Sequence, residues 1–333
     1  MRLRLEPHDE YMHDVGPEPN FNESMYFNFY DPALGLGGFV RLGNRPNEGK
    51  GEMTVCLWLP DGRVGFMFQR PEVHTNEAFN AAGLRFDVVT PFERLDVRYD
   101  GTVLLLDDPL AMADPRAAFA SNPTAPCTIS LQYRGLSPMF GGEPDEASER
   151  PGEEFAKGHY EQLVAASGTI AVGDDSWSVT AYGLRDHSWG PRYWQAPWYY
   201  RWLTANFGEE FGFMGSRIAR RDGEGTRGGF VWDGERLHLC NDFHIQSTWT
   251  GADRYHESIA ATLRAADEDG KPIEWRVTGE VLSLIPLRNR RDGLVTRISE
   301  GLTRWTLADG RIGYGLSEYL DQIVGGMPVG LGE

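Results

Sequence analysis

The sequence is poor in cysteine and contains no long apolar run. Its three cysteines, Cys56, Cys127 and Cys240, are an odd number and widely spaced, which argues against a disulfide framework and against a zinc site built on C-x2-C pairs. We expect them to be reduced and mostly buried. The chain has neither a stretch of about 18 apolar residues nor an apolar signal segment after its basic start. These absences predict a cytoplasmic protein without a membrane span.

Positive charge is also in short supply. Lys and Arg total 32 against 49 Asp and Glu, which gives a formal net charge of -17. A surface of this sign repels phosphate backbones and anionic lipid headgroups. We therefore expect no nucleic-acid partner, whereas the sequence leaves a homodimer open.

Motifs for cofactors and metals are missing as well. The glycine-rich stretch 35–38 lacks the third glycine, the preceding strand and the following helix of a dinucleotide-binding fingerprint. The sequence contains no Walker A motif, no G-x-S-x-G elbow and no C-x-x-C pair. The spacing of His238 and His244 matches no common zinc-binding pattern. The sequence thus predicts an activity that needs neither a metal nor a redox cofactor.

What the sequence has in quantity is glycine, proline and alternating strand patterns. Forty Gly and twenty Pro are scattered without a period, which favours many short strands joined by tight turns. From Ile273 to Val281 apolar and polar residues alternate, as in a strand with one buried face. Less regular runs of this kind cover 53–59, 63–69, 94–106, 127–134, 177–182, 211–219 and 304–319, and the best short helix is 115–120. Seven Asp-Gly pairs predict type I′ hairpin turns, at Asp61, Asp100, Asp222, Asp233, Asp269, Asp292 and Asp309.

The composition also predicts two domains. A length of 333 residues exceeds what one core usually covers, and between Ser137 and Lys157 the pattern gives way to Gly, Pro, Glu and Asp, which is typical of a linker. We therefore predict β domains over 1–150 and 151–333, with no residue-level repeat between them. Because antiparallel sheets must protect their edges, we expect a mainly β fold of two antiparallel β-barrels or half-barrels packed together.

The segment from Gly183 to Trp194 is the most crowded in chemical groups. Its twelve residues include two guanidiniums, a carboxylate, an imidazole, a hydroxyl, a phenol and two indoles. Such a segment either stabilises a fold through a buried polar network or lines a pocket where protons move. We favour the pocket.

Three parts of the sequence carry a family resemblance. They are the run His159-Tyr160-Glu161-Gln162, the run Gly183-Leu184-Arg185-Asp186-His187-Ser188-Trp189-Gly190-Pro191-Arg192 and the upstream segment 22–27. Together they resemble the hydroxyneurosporene synthase (carotenoid 1,2-hydratase) and AttH-like superfamily. This resemblance implies two consecutive lipocalin-like domains. The superfamily includes hydratases and cyclases, so the resemblance fixes no substrate.

The resemblance and the residues agree on acid/base chemistry. Hydrating or dehydrating an alkene needs a proton donor and aromatic faces that stabilise positive charge. We predict a cofactor-independent lyase, hydratase or isomerase for a hydrophobic terpenoid, steroid or aromatic metabolite. The catalytic candidates are Asp186 as the proton donor, His187 as its relay, and Tyr193. The candidate substrate-binding residues are Arg185, Trp189, Arg192, Trp194, Trp198, Tyr199, Trp202, His159, Glu161, Asn22, Glu23, Asp242 and His244.

Structural alternatives exist for the same residues. Arg185 and Asp186 could form a buried ion pair that closes one end of a barrel, and His187 could be a hydrogen-bonded core histidine. The aromatic residues could pack on both faces of a strand. In that case the protein would be a non-catalytic, lipocalin-like carrier of a hydrophobic ligand.

Overall fold

The protein is built from two units made almost entirely of antiparallel strands. The computed structural model describes residues 3–144 and 155–332, with 65% of the chain in strands and 6% in helices. The first unit comprises Met1–Asp108 and Arg116–Tyr193, and the second comprises Pro109–Pro115 and Trp194–Glu333. The predicted mainly β class is therefore confirmed.

In its described residues, the first unit contains twelve strands and one α-helix. Eight strands form a closed antiparallel ring in the order β11-β12-β2-β3-β4-β5-β8-β9, and β9 returns to pair with β11. Short 3-10 helices cover Pro7–Glu10 and Pro46–Glu48, and α1 (Pro115–Ser121) precedes β9. The strands are β1 (Leu3–Arg4), β2 (Phe21–Asp31), β3 (Leu36–Arg45), β4 (Lys50–Trp58), β5 (Val64–Gln69), β6 (Asn80–Ala81), β7 (Leu84–Thr90), β8 (Arg94–Leu106), β9 (Thr124–Gly135), β10 (Phe140–Pro144), β11 (Gly158–Val172) and β12 (Asp175–Pro191).

Apolar side chains fill the inside of this ring. Alternate residues of each strand point inward, and the large rings of Phe27, Phe86 and Tyr133 contact one another there. Met25 and Val179 belong to the same buried cluster. The interior of the first unit is thus a packed core over most of its depth.

As far as residue 332, the second unit contains ten strands. Nine follow the order β16-β15-β14-β13-β21-β20-β19-β18-β17, and β22 pairs with β21. Since Asn241 alone separates β16 from β17, the two ends of this order are adjacent in the chain and the sheet curls round a core that includes Phe213 and Trp305. A 3-10 helix covers Pro109–Ala113. The strands are β13 (Tyr199–Asn206), β14 (Gly212–Ala219), β15 (Gly225–Trp232), β16 (Leu237–Cys240), β17 (Asp242–Thr250), β18 (Tyr255–Ala266), β19 (Pro272–Arg291), β20 (Leu294–Leu307), β21 (Ile312–Val324) and β22 (Met327–Pro328).

The division between the units lies after Tyr193, not near residue 150 where the composition predicted it. The polar stretch between Ser137 and Lys157 does not separate the two units. The strands on either side of its centre, β10 and β11, pair with each other in the first unit. Residues Phe140–Pro144, predicted as linker, form strand β10. The remainder of that prediction, 145–154, lies outside the described residues. Consequently the Arg185 to Trp189 segment belongs to the first unit.

Most predicted turns are confirmed as connections between strands. Six of the seven Asp-Gly pairs join consecutive strands, whereas Asp100 and Gly101 lie inside β8. Among these pairs only Asp292 has a positive φ, 52°, and is followed by Gly293 at 76°. A type I′ turn needs positive φ at both central residues, so the prediction of that turn type holds at one pair only.

Two further predictions concern the helix and the cysteines. The helix predicted over 115–120 is confirmed by α1, and all three cysteines are buried and outside any disulfide. In the part of the chain that the structure describes, no helix is long and apolar enough to cross a membrane.

The pairing of Gly158 with Trp189 yields a test of the fold. These residues lie opposite each other in the β11–β12 ladder, and a Cβ at residue 158 would overlap the indole ring of Trp189. We predict that Gly158→Ala lowers the free energy of unfolding by about 1–3 kcal/mol, since overpacking displaces the ring. Urea denaturation measures this change. Gly332→Ala, where the added methyl meets nothing, is the control and should leave stability unchanged.

Candidate active site

Strand β12 sends its polar side chains to two different faces. Successive side chains of a strand alternate, so Arg185, His187 and Trp189 point to the same side as the core residue Val179. Asp186 lies on the opposite, outer side of the ring. The structure therefore does not bring Asp186 and His187 to one site, and the predicted relay between them does not form.

On the inner side, Arg185 forms a buried ion pair with Glu10. The guanidinium donates to both carboxylate oxygens, at 2.6 and 2.9 Å, and the Tyr160 hydroxyl donates to the same carboxylate at 2.6 Å. Burial alone would raise the pKa of Glu10, but the charge and hydrogen bonds of Arg185 outweigh it and lower the pKa. The ion pair that the sequence suggested does exist, but its carboxylate is Glu10 instead of Asp186.

His187 is a hydrogen-bonded core histidine. Its Nε2 lies 2.9 Å from Oε1 of Glu23, and Nδ1 of His13 lies 2.7 Å from the same oxygen. Burial would raise the pKa of Glu23, but hydrogen bonds from the two imidazoles hold it at about 2. His187 and Glu23 have fully buried side chains. Together with Arg185 and Glu10 they close one end of the packed core.

Among the described residues, His13, Glu23 and His187 form a group that could in principle hold a metal. Two ligands of one tetrahedral zinc ion, each about 2.1 Å from the metal, lie about 3.4 Å apart. The nitrogen–oxygen separations of 2.7 and 2.9 Å are hydrogen-bond lengths. The group therefore fits a hydrogen-bonded network better than a metal site.

The outer face of the same sheet carries a second polar group, which we call the outer polar face. Strand register places its side chains in two adjacent rows, and most of them are buried. The rows are Glu161, Asp186, Tyr26, Arg41 and Thr54, and beside them His159, Ser188, Ser24, Gly43 and Glu52. Asn22 and Arg45 flank the rows on the same side of β2 and β3. A barrel surface this polar and this buried is unusual, because buried polar groups cost free energy unless they are paired.

His159 lies between two carboxylates at one end of this face. Its Nε2 is 3.6 Å from Glu161 and 3.9 Å from Asp186. The His159 side chain is 42% exposed and that of Asp186 is 22% exposed, so both can be reached from solvent. Removal from water lowers the pKa of His159, but the carboxylates of Asp186 and Glu161 outweigh this effect and raise it. An accessible imidazole that retains its proton beside two carboxylates can donate and accept protons near neutral pH.

The remaining candidates are divided between the units. Tyr193 is the last residue of the first unit and Trp194 opens the second segment of the second unit. Trp189 lies inside the first ring, where its indole stacks on His13 with the ring centroids 4.0 Å apart. The structure thus does not assemble the predicted aromatic wall within one unit.

The second unit holds the other candidates. Trp198 and Tyr199 line a cleft of about 370 Å³ together with four arginines of β14, β15 and their turn. Trp202 is buried in this unit. Asp242 forms ion pairs with Arg227 and Arg264 at 2.9 and 2.7 Å, and His244 is exposed. The ion pairs give Asp242 a structural role at the surface of the sheet.

Sequence reasoning missed several residues of both polar groups. Glu10 and His13 reach the inner group from the segment before β2, and Arg41 and Arg45 reach the outer face from β3. None lies in a recognisable motif. The alternation of β3, with Val40 and Leu42 in the core, is the signal that could have placed Arg41 and Arg45 on the outer side.

Comparisons of the sequence and structure agree on the class of fold. NE1406 from Nitrosomonas europaea, a candidate AttH protein, is similar over 96% of this chain and 97% of its own, with a TM-score of 0.59 and 16% identity. Kievitone hydratase from Nectria haematococca matches 90% of this chain and 88% of its own, with a TM-score of 0.56 and 9% identity. CghA with Sch210972 matches 91% and 88%, with a TM-score of 0.55 and 13% identity. The predicted AttH-like, lipocalin-type fold is confirmed, whereas nothing singles out the carotenoid hydratase.

The family follows from the sequence itself. The chain belongs to the family described as a domain of unknown function, DUF7064, whose model matches residues 6–323. No curated protein matches the sequence.

The buried ion pair gives a test of the inner group. We predict that Arg185→Met lowers the free energy of unfolding by about 3–5 kcal/mol, because it leaves the Glu10 carboxylate buried without its cation. The double variant Glu10→Gln/Arg185→Met should be less destabilised than Arg185→Met alone. Urea denaturation measures both. A double variant that is as unstable as the two single changes added together would contradict the coupling.

The same group predicts a pH dependence of stability. The folded pKa of Glu23 is lowered from 4.5 to about 2, so its contribution is complete above pH 4.5 and is lost as the pH falls toward 2. The pKa of His13 is raised from 6.5, so its contribution is complete below pH 6.5 and is lost as the pH rises through the raised value. Urea midpoints from pH 3 to 9 should fall at both ends. His13→Gln should reduce the decline at the alkaline end, to which His159 with its raised pKa also contributes, and a decline of unchanged size would refute the assignment.

Proposed function

We propose that the protein is a hydratase-type lyase or isomerase that uses Asp186, His159 and Glu161 on the outer polar face. The observation that carries this proposal is the accessible imidazole of His159, held within 4 Å of two carboxylates. We propose a hydrophobic terpenoid, steroid or aromatic metabolite as the substrate and the cytoplasm as the place of action. One protein of similar fold is named kievitone hydratase, and another was solved with Sch210972.

The proposed reaction adds or removes one molecule of water and nothing else. In the hydration direction, the His159 imidazolium donates its proton to one alkene carbon, and Asp186 stabilises the positive charge that develops beside it. Water then attacks the other carbon, and Glu161 takes the proton that this water releases. One hydrogen and one hydroxyl are added and no electrons leave the substrate, so the proposal includes no redox cofactor. Dehydration runs through the same groups in reverse.

The inner group has a supporting role in this proposal. His187, Glu23 and Arg185 are fully buried and belong to the closed end of the core, so we assign them to stability and not to proton transfer. Tyr193 and Trp194 come shortly after the end of β12 in the chain and remain predicted substrate contacts.

The carrier alternative has less support from the first unit. A lipocalin-like carrier binds its ligand inside the barrel, and here Phe27, Phe86 and Tyr133 pack against one another in that interior. The candidate proton donors and acceptors lie on the outer side of the ring. An enzyme therefore accounts for the outer polar face better than a carrier does.

We predict that Asp186→Asn lowers kcat by about 10² or more, because it removes the negative charge that stabilises the developing cation. His159→Gln should act similarly. Candidate terpenoid, steroid and phenolic alkenes and alcohols would be incubated in ¹⁸O-labelled water, and mass spectrometry would follow gain or loss of labelled hydroxyl.

Asp87→Asn is the matched control, since this carboxylate of the first unit pairs with Arg85 on the surface. It should leave turnover unchanged, and circular dichroism should show that all three variants are folded. Folded Asp186→Asn and His159→Gln variants that turn over substrate at the wild-type rate would contradict the proposal.

A further inference from the structure

The second unit has a cleft of its own, formed by the start of β13 and by the β14–β15 hairpin. Its volume is about 370 Å³, and pockets of about 300 to 1,000 Å³ bind small organic molecules. Four arginines line it, whereas Glu224 is the single carboxylate among the described residues that do so. The arginines are Arg217, Arg220, Arg221 and Arg227. Because the whole chain has a formal net charge of -17, this concentration of positive charge is a local feature.

The register of the sheet places three arginines side by side at this cleft. Arg201 of β13 lies opposite Arg217 of β14, which in turn lies opposite Arg227 of β15. Residues opposite each other share a face of the sheet, and like charges in that arrangement are destabilising. Arg201 pairs with Asp321 at 3.0 Å. Arg227 shares Asp242, at 2.9 Å, with an arginine of β18. The two outer arginines of the row therefore have carboxylate partners.

The middle arginine and its neighbour in the turn lie over aromatic rings of the cleft. The Arg217 guanidinium is 5.8 Å from the centroid of the Tyr199 ring, and that of Arg221 is 4.6 Å from the Trp198 ring. Neither arginine forms an ion pair with a described residue. A guanidinium over a ring keeps its five N–H groups in its own plane, where they can bond to an anion. Both rings are half-buried, so a planar ligand can still cover part of each.

Backbone hydrogen bonds hold the aromatic side of the cleft in place. The Trp198 amide donates to the carbonyl of Ala219 at 2.8 Å, and the Trp198 carbonyl accepts from the amide of Gln322 at 3.1 Å. Trp198 is thereby fixed between β14 and β21, directly before the first residue of β13. A site whose walls are already ordered loses less free energy when a ligand binds.

We propose that this cleft binds a small aromatic carboxylate, with the carboxylate on Arg217 and the ring against Trp198 and Tyr199. The planar guanidinium presents two parallel donors to a carboxylate, and the indole and phenol offer apolar faces to an aromatic ring. The bound carboxylate supplies negative charge to the middle of the arginine row. This site goes beyond the proposed function, since it belongs to the second unit and uses no residue of the outer polar face.

The test compares an aromatic carboxylate with its neutral amide. Isothermal titration calorimetry would measure binding of 2-naphthoate and 2-naphthamide to the wild-type protein. We expect the carboxylate to bind about tenfold more tightly, the effect of one charge-assisted hydrogen bond. Arg217→Gln should remove most of this preference, and Arg217→Lys should restore only part of it because a lysine lacks the fork. Trp198→Leu should instead weaken both ligands to a similar extent, because it removes a ring and no charge.

Arg236→Gln is the matched control, because Arg236 belongs to the same unit, is 61% exposed and pairs with Glu268 at the surface. It removes the same charge and should leave the preference unchanged. Equal affinity of the wild-type protein for carboxylate and amide, no binding of 2-naphthoate, or equal losses in Arg217→Gln and Arg236→Gln would each overturn the proposal. Arg217 is only half-buried, so we expect its variants to fold, and circular dichroism would verify this.

A variant of the first unit separates this cleft from the proposed active site. His159→Gln should bind 2-naphthoate as tightly as the wild-type protein does, because the outer polar face belongs to the first unit. Loss of binding in His159→Gln, together with unchanged binding in Arg217→Gln, would assign the ligand to the outer polar face. That result would overturn the site in the second unit and leave the proposed function standing.

Discussion

The alternation of side chains along β12 is the constraint on which the rest of the molecule depends. One strand supplies both the closed end of a core and part of the outer polar face, because neighbouring residues point to opposite sides. Arg185 and His187 are fully buried with Glu10 and Glu23. Asp186, between them in sequence, is accessible beside His159. The rigid inner contacts hold the backbone of β12 and thereby fix where Asp186 stands, as a preorganised site requires.

Elements with local signals could be predicted from the sequence, and elements that depend on distant pairing could not. Asp-Gly pairs marked six connections, since a turn is specified by adjacent residues. The division between the units was misplaced because the polar stretch near residue 150 has the composition of a linker, yet β10 and β11 pair across it. The composition of a loop says nothing about which strands it joins.

The candidate site shows the same limit. The Arg-Asp-His-Ser-Trp-Gly run drew attention to the segment that forms β12. The spacing of His159 and Glu161 placed them on one face of a strand, as β11 has them. The partners Glu10, Arg41 and Arg45 could not be found, because they come from 140 or more positions away in the chain and only the register of β11, β12, β2 and β3 brings them in. From the sequence alone, His187 and Asp186 were both catalytic candidates. The structure distinguishes them, because their side chains lie on opposite sides of β12.

A comparison of the two units supports assigning the proposed chemistry to the first. The second unit also buries an arginine, Arg201, against a carboxylate, Asp321, at 3.0 Å, and the Arg201 guanidinium lies over the Tyr319 ring at 4.3 Å. The first unit has the same combination in Arg185, Glu10 and Tyr160. Each unit therefore closes a core with an arginine, a carboxylate and a tyrosine, although the sequence contains no residue-level repeat.

His256 of the second unit and His159 of the first unit differ in their electrostatic surroundings. His256 stacks on Tyr319, with the ring centroids 3.8 Å apart, and bonds to Ser317. Burial lowers its pKa to about 3, with the charge of Arg201 acting in the same direction. It is therefore neutral at any physiological pH and has no proton to give. The carboxylates around His159 have the opposite effect. A buried arginine stabilises either unit, but only an imidazole flanked by carboxylates and open to solvent can exchange protons, and the first unit provides it on its outer face.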